Sequence, residues 1–163
     1  RADSPWAYLW SAQNDRAFIT TMGIDVNTFH KLLDPFESLW TSETIGRLDV
    51  NPNGEPQVGR RSLDAAGCLG LLLHWFSSTM PAHCLQQLFS ITPAVCSRYL
   101  ETGTQMLLKV LTSLKEARIT WPSSERVIRK YNESIIRKFP LLTGCFGFVD
   151  GLNLPVLVSS HDE

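Results

Sequence analysis

One carboxylate in the chain stands in a position suited to metal chemistry. Asp150 lies between two short apolar runs, residues 145–149 and 154–158, and Gly151 follows it directly. Apolar runs of this length beside glycine predict a strand, a turn and a second strand. Asp150 would then end a buried strand, where a carboxylate is costly unless it is paired, hydrogen-bonded or bound to a cation. The pattern indicates either a metal-binding acid at a hairpin or a hairpin turn alone.

Asp150 by itself does not complete a site for phosphodiester cleavage. Cleavage by two metal ions needs several carboxylates that hold the ions about 4 Å apart, one ion to activate water and one to stabilise the leaving oxygen. Asp162 and Glu163 are the acids that follow Asp150, and they are adjacent to each other at the end of the chain. We assign neither of them a role as a metal ligand.

The residues around Asp150 resemble a known nuclease segment. Their order is Phe139-Pro140, Gly144, Gly147-Phe148-Val149-Asp150-Gly151 and then Pro155. This order resembles the first catalytic-aspartate segment of the Harbinger-type transposase nucleases, which are DDE superfamily endonucleases. The resemblance implies that Asp150 is the first of three acidic ligands for Mg²⁺ or Mn²⁺. It also implies that Asp150 lies on the first strand of an RNase H-like α/β domain.

The composition is that of a globular protein. With 163 residues, of which 44% are hydrophobic and 19% charged, the chain can bury one sizeable core and is not of disordered composition. Its four cysteines and four histidines are dispersed without zinc-binding spacing, which indicates reduced core thiols and no zinc site. The apolar run at residues 65–76 is too short to span a bilayer, so we expect no membrane partner.

Positive charge is concentrated in one segment of the chain. Residues 115–138 carry seven basic residues against three glutamates, a net charge of +4 within an overall charge of -1. A helix is predicted to begin here, and its N-cap is either Ser123 or Ser124. Its apolar stripe, expected to be buried, is Val127, Ile128, Tyr131, Ile135 and Phe139. Its other face, formed by Arg126, Arg129, Lys130, Arg137 and Lys138, is either solvated or holds the backbone of a nucleic acid.

Apolar spacing predicts further helices upstream of this segment. Residues 4–18 indicate a loose aromatic helix or arm. A helix is predicted within residues 24–40, capped by Asp25 and interrupted or kinked at Pro35. A polar loop at residues 41–61 precedes a central helix at residues 63–76, for which Ser62 is the expected N-cap.

A short helix, a turn and a longer helix then follow one another. The short helix covers residues 82–89, the turn is Ser90-Ile91-Thr92, and the second helix begins at Pro93 and runs to about residue 114. This is the order of a helix-turn-helix, and it also resembles the segment ahead of the catalytic domain in the Harbinger-type family. Ser97 and Arg98 would lie on the exposed start of the second helix, where Arg98 reaches a phosphate or a guanine. The alternative is a pair of helices that only packs, because Arg98 is the one cation there.

These patterns together predict a mainly α chain with three parts. They are an N-terminal helical region with a polar loop (residues 1–61), a helical region with the helix-turn-helix (62–139), and a truncated RNase H-like α/β domain that begins with a β-hairpin (140–163). The resemblance implies a nuclear fragment of a Harbinger-like DDE transposase or endonuclease, with double-stranded DNA and a DNA-binding protein as partners. The alternatives are a transposase-derived helical module that binds DNA or protein without cleaving it, and a helical protein unrelated to DNA.

We predict that the 163-residue chain does not cleave DNA in the presence of Mg²⁺ or Mn²⁺. A single carboxylate binds Mg²⁺ weakly, because this ion needs several hard oxygen ligands in octahedral geometry. The Asp150→Asn variant should bind DNA as the unchanged chain does. Nicking of supercoiled plasmid is the measurement, and metal-dependent nicking that disappears with Asp150→Asn would contradict this expectation.

Overall fold

The computed structural model describes residues 3–45, 58–118 and 120–151. Within these ranges the chain forms α-helices and two short 3₁₀ turns, Val58–Arg60 and Lys115–Ala117. It divides into two compact units, Arg1–Arg118 and Ile119–Glu163. The first unit contains α1 to α6 and the second contains α7. In order, the helices are α1 Pro5–Ala12, α2 Asp15–Met22, α3 Val26–Ser42, α4 Ala65–Ser77, α5 Ala82–Phe89, α6 Pro93–Ser113 and α7 Glu125–Lys138.

Polar side chains cap the first four helices. Ser4 and Asn14 accept hydrogen bonds from backbone N–H groups at the starts of α1 and α2, so the N-terminal segment forms two helices rather than a loose arm. The predicted cap Asp25 is confirmed, because its carboxylate accepts the N–H of Thr28 at 2.7 Å. The predicted cap Ser62 is wrong. Asp64 caps α4 instead, and the N–H of Ser62 donates to the hydroxyl of Tyr99 at 2.9 Å.

Helix α4 is the centre of the first unit. Every residue from 65 to 72 is buried, as predicted for a helix that is apolar on nearly all faces. Helices α3 and α6 both pack against α4 and against each other. Helix α3 continues through Pro35 to Ser42, and its buried side chains are Phe29, Leu33, Phe36 and Trp40. No described helix is long and apolar enough to cross a membrane.

Two glycines allow the neighbours of α4 to approach closely. A Cβ atom on Gly70 would lie only 2.3 Å from the six-membered ring of Trp6, whose indole is buried against α4. A Cβ atom on Gly103 of α6 would lie 2.9 Å from Leu72 and 3.0 Å from the sulfur of Cys68. Burial raises the pKa of the Cys68 thiol, so this sulfur packs as a neutral group. The space above Gly70 is therefore filled by a side chain of α1, and the space above Gly103 by side chains of α4.

Arg61 holds the C-terminal end of α3. Its guanidinium donates hydrogen bonds to the carbonyl oxygens of Trp40 and Glu43 and lies 4.4 Å from the centre of the Trp40 ring. Carbonyls in the last turn of a helix have no partner within the helix, so a cation that binds them also interacts favourably with the helix dipole. This interaction ties the chain just before α4 to the end of α3.

The β-hairpin predicted around Asp150 is not present in the described residues. Residues 145–150 form no strand, and Phe148 and Val149 are 70% and 98% exposed. The other predicted strand, residues 154–158, lies outside the described residues. A strand is stable only when a neighbour pairs with its backbone and covers one face, and no described segment does so here. The described chain is therefore all-α, and the predicted start of an RNase H-like α/β domain is wrong.

Helix α7 forms as predicted, but its apolar stripe is not buried. Ser124 is the N-cap, and yet Tyr131 is 47% exposed and Phe139 54% exposed. Other described residues of the second unit make a side-chain hydrogen bond with α7 and an aromatic contact beside it. The amide of Asn132 donates to the carbonyl of Cys145 at 2.8 Å, and the rings of Trp121 and Phe146 meet edge to face at 5.6 Å. These interactions do not cover the stripe.

We expect Gly70→Ala to destabilise the first unit by about 1 to 3 kcal/mol, because the added methyl group would overlap the Trp6 ring. This loss should exceed the gain of about 0.5 to 1 kcal/mol that alanine brings to a helix interior. Urea unfolding followed by circular dichroism measures the change. Gly59→Ala is the control, since nothing lies within 4 Å of a Cβ atom there. Equal stability of the two variants would contradict the proposed overlap.

Candidate nucleic-acid interface

The predicted order of a short helix, a turn and a longer helix is confirmed by α5 and α6, while its use as a DNA-binding helix-turn-helix stays a prediction. Helix α5 ends at Phe89, and Ser90 adopts the left-handed conformation at φ 52° and ψ 47°. The N–H of Ile91 then donates to the carbonyl of Gln86 at 3.0 Å, which closes the end of α5 in the manner of a glycine C-cap. Ile91 is 9% exposed and joins the core, so the turn is anchored between the two helices.

The start of α6 presents a polar surface of low charge. Ser97 is exposed and Arg98 is half-buried, while Cys96 and Tyr99 hold this part of the helix in the core. Burial raises the pKa of the Cys96 thiol, which keeps it neutral. Glu101 is exposed one turn after Ser97 and opposes the attraction of Arg98 for phosphate. Ser97 thus lies at the surface and Arg98 is partly accessible, and the binding of either residue to DNA stays a prediction.

Helix α7 gathers most of the predicted cations on one face. At about 100° per residue, Arg126, Arg129, Lys130 and Arg137 fall within an arc of about 100°. All four are exposed, and none forms a salt bridge with another described residue. Glu133 lies inside the same arc, so the arc carries four positive charges and one negative charge. We call these four cations and Glu133 the basic face of α7.

Lys138 does not belong to the basic face. The same helical geometry places it between Val127 and Tyr131, on the apolar side of α7. It is exposed in the last helical turn, where a positive charge interacts favourably with the helix dipole. The expectation that all five cations share a face is therefore wrong for Lys138, because it follows Arg137 directly and adjacent helical residues point about 100° apart.

Asp150 is exposed, and its hydrogen bond within the described part of the chain is a local one. Its carboxylate accepts the N–H of Gly151 at 2.8 Å. The residues that the structure describes contain no group of three His, Cys, Asp or Glu side chains able to hold a metal ion. Asp162 and Glu163 lie outside those residues. One carboxylate does not provide the ligands that Mg²⁺ requires, and the role of Asp150 as a metal ligand stays a prediction.

The predicted site residues belong to two different units. Ser97 and Arg98 are in the first unit, whereas the five α7 cations and Asp150 are in the second. The polar side of α5, formed by His83, Gln86 and Gln87, was not among the residues predicted from the sequence. Their spacing of three and four residues within an amphipathic helix is the signal that would have shown a common surface.

We expect Ser90→Gly to stabilise the first unit by about 0.5 to 1 kcal/mol. A left-handed conformation costs a residue with a Cβ atom about 1 to 2 kcal/mol, and the greater freedom of glycine in the unfolded chain offsets part of that gain. Ser97→Gly is the matched control, because Ser97 lies inside α6 and glycine there should cost about 0.5 kcal/mol. Urea unfolding measures both variants. A loss of stability in Ser90→Gly would contradict this account of the turn.

The comparisons with known proteins add no relative to these observations. No protein-family model, curated protein or solved structure matches the chain. The resemblance to the Harbinger-type nucleases therefore depends on the residues around Asp150 and on the segment that includes Arg98.

Proposed function

We propose that this chain binds the backbone of double-stranded DNA through the basic face of α7. The observation that carries the proposal is the alignment of Arg126, Arg129, Lys130 and Arg137 on one exposed face without salt bridges to other described residues. Since no carboxylate pairs with these side chains, their charges remain available to phosphates, and Arg137, whose Nε donates to the backbone carbonyl of Glu133 at 3.4 Å, keeps its terminal N–H groups for them. A protein that neutralises DNA phosphates with Lys and Arg releases condensed counterions, and this release drives sequence-independent binding.

The net charge of the basic face determines how strongly we expect the chain to bind DNA. Four cations and Glu133 give this face a net charge of +3. Glu133 follows Arg129 and precedes Arg137 by four residues each, so its carboxylate weakens the attraction of both for phosphate. Non-specific binding of this kind has a Kd of about 10⁻⁴ to 10⁻⁶ M at physiological salt. Binding should therefore be modest and should decrease as salt is added.

We also propose that this chain derives from a Harbinger-like DDE transposase or endonuclease. The sequence around Asp150 and the helix-turn-helix order of α5 and α6 support it. In this proposal the chain contributes DNA binding, and Asp150 contributes a ligand for Mg²⁺ or Mn²⁺ only together with further acids. A nuclear location follows from the same origin. We assign no cleavage to this chain on its own.

A helical protein-binding module is the second candidate function. The observation that favours it is the exposed apolar side of α7, where Tyr131 is 47% exposed and Phe139 54% exposed. Apolar side chains at this helical spacing are what an amphipathic helix places in the groove of a partner. The two candidates use opposite sides of α7, so substitutions on one side separate them from each other.

We expect the triple variant Arg129→Ala, Lys130→Ala and Arg137→Ala to bind duplex DNA more weakly and with a smaller salt dependence. The slope of log Kd against log salt should decrease by up to about 0.9 for each DNA phosphate that the variant no longer neutralises. Fluorescence anisotropy with a labelled duplex across a salt series measures this slope.

The matched control for this triple variant removes three exposed cations elsewhere. It combines Arg16→Ala, Lys31→Ala and Lys115→Ala in the first unit, so both variants lose the same net charge. If the two variants had equal slopes, the effect would come from net charge and not from α7. If the unchanged chain did not bind DNA, the proposed function would be wrong.

A further inference from the structure

A shallow groove lies beside the turn between α5 and α6. Its volume is about 390 Å³. One side is formed by α5 and the other by the turn, and the lining residues are His83, Gln86, Gln87, Ser90, Ile91 and Thr92. All except Ile91 have polar side chains. None of these polar side chains makes a hydrogen bond to another residue that the structure describes.

The groove is lined by side chains that can donate hydrogen bonds, and four of them are uncharged, namely Gln86, Gln87, Ser90 and Thr92. Glutamine amides donate two hydrogen bonds, and the hydroxyls of Ser90 and Thr92 donate one each. No carboxylate is among the residues that line the groove. Half to two-thirds of the hydrogen bonds between proteins and DNA go to phosphate and sugar, and Ser, Thr and Gln are among their donors. The chemistry of the lining therefore suits phosphate oxygens.

The groove also lies on elements that are packed into the core and that correspond, in the order of a helix-turn-helix, to those that contact the DNA backbone. Leu85 and Phe89 are buried on the opposite side of α5, and Ile91 anchors the turn in the core. In helix-turn-helix proteins the first helix crosses the backbone, while the start of the second lies in the major groove. Helix α5 is the first helix here. The exposed residue Ser97 follows Thr92 by little more than one turn of α6.

We propose that this groove binds phosphates of double-stranded DNA through neutral hydrogen bonds, chiefly from Gln87 and Thr92. The inference rests on the proposed function, since it requires that the chain binds DNA, but it concerns a different surface. Neutral donors displace no counterions, so the groove adds affinity without adding to the salt dependence. The basic face of α7 contributes both to the affinity for DNA and to its salt dependence. This difference allows the two surfaces to be tested separately in the same protein.

The test uses the full chain with the double variant Gln87→Met and Thr92→Val, which keeps the size of each side chain and removes its donor. Gln87 is exposed, and Thr92 makes no capping hydrogen bond with its side chain, so the fold should be retained. Gln105→Met is the matched control, because Gln105 is an exposed glutamine of α6 outside the groove. Circular dichroism confirms the helix content of each variant.

The probe is a labelled duplex of about 20 base pairs and mixed sequence, titrated by fluorescence anisotropy at several salt concentrations. We expect the double variant to bind about tenfold more weakly than the unchanged chain, with the same slope of log Kd against log salt. The Gln105→Met variant should bind as the unchanged chain does.

Three results would overturn the inference. The first is a double variant that binds as tightly as the unchanged chain. The second is an equal loss in Gln105→Met, which would show that the effect is not specific to the groove. The third is an unchanged chain that does not bind the duplex, which would also overturn the proposed function. If the groove variant weakens binding while the α7 triple variant keeps the full slope, the groove inference stands and the proposal for α7 fails.

Discussion

The packing of Trp6 over Gly70 is the interaction on which the arrangement of the first unit depends. The indole fills the space that a side chain at position 70 would need, and it stacks on Phe89 with 5.2 Å between the ring centres. Phe89 is the last residue of α5. A single aromatic side chain of α1 thus fixes the end of α5 against α4. Phe89 is directly followed by the turn, in which Ser90 adopts a left-handed conformation.

The two units use their apolar residues differently. In the first unit Trp6, Phe29 and Phe89 are enclosed, and aromatic pairs of this kind add about 0.5 to 1.5 kcal/mol each beyond the area that they bury. In the second unit the apolar side of α7 is not enclosed by the described residues. An isolated helix of this length is only marginally stable in water. Glu125 in its first turn and Arg137 in its last turn interact favourably with the helix dipole and support it.

The polar surfaces of the two units are also of different kinds. The basic face of α7 needs only helix formation, because Arg126, Lys130 and Arg137 align through helical geometry alone. The groove beside the α5–α6 turn needs tertiary packing, because Gln87 and Thr92 line it together only when Ile91 is buried in the core. Loss of packing in the first unit would therefore remove the groove and leave the basic face of α7 in place.

The sequence alone determined the features that depend on a few neighbouring residues. Pro93 at the first helical position and the Ser90-Ile91-Thr92 turn located α5 and α6, and the cap Asp25 located the start of α3. The basic face of α7 also followed from periodicity, except for Lys138. Tertiary structure decided the rest. Ser62 and Asp64 are both capable of capping a helix, and the hydroxyl of Tyr99 engages the N–H of Ser62 while Asp64 caps α4. An apolar run such as residues 145–149 becomes a strand only beside a partner, and propensity does not show whether one is there.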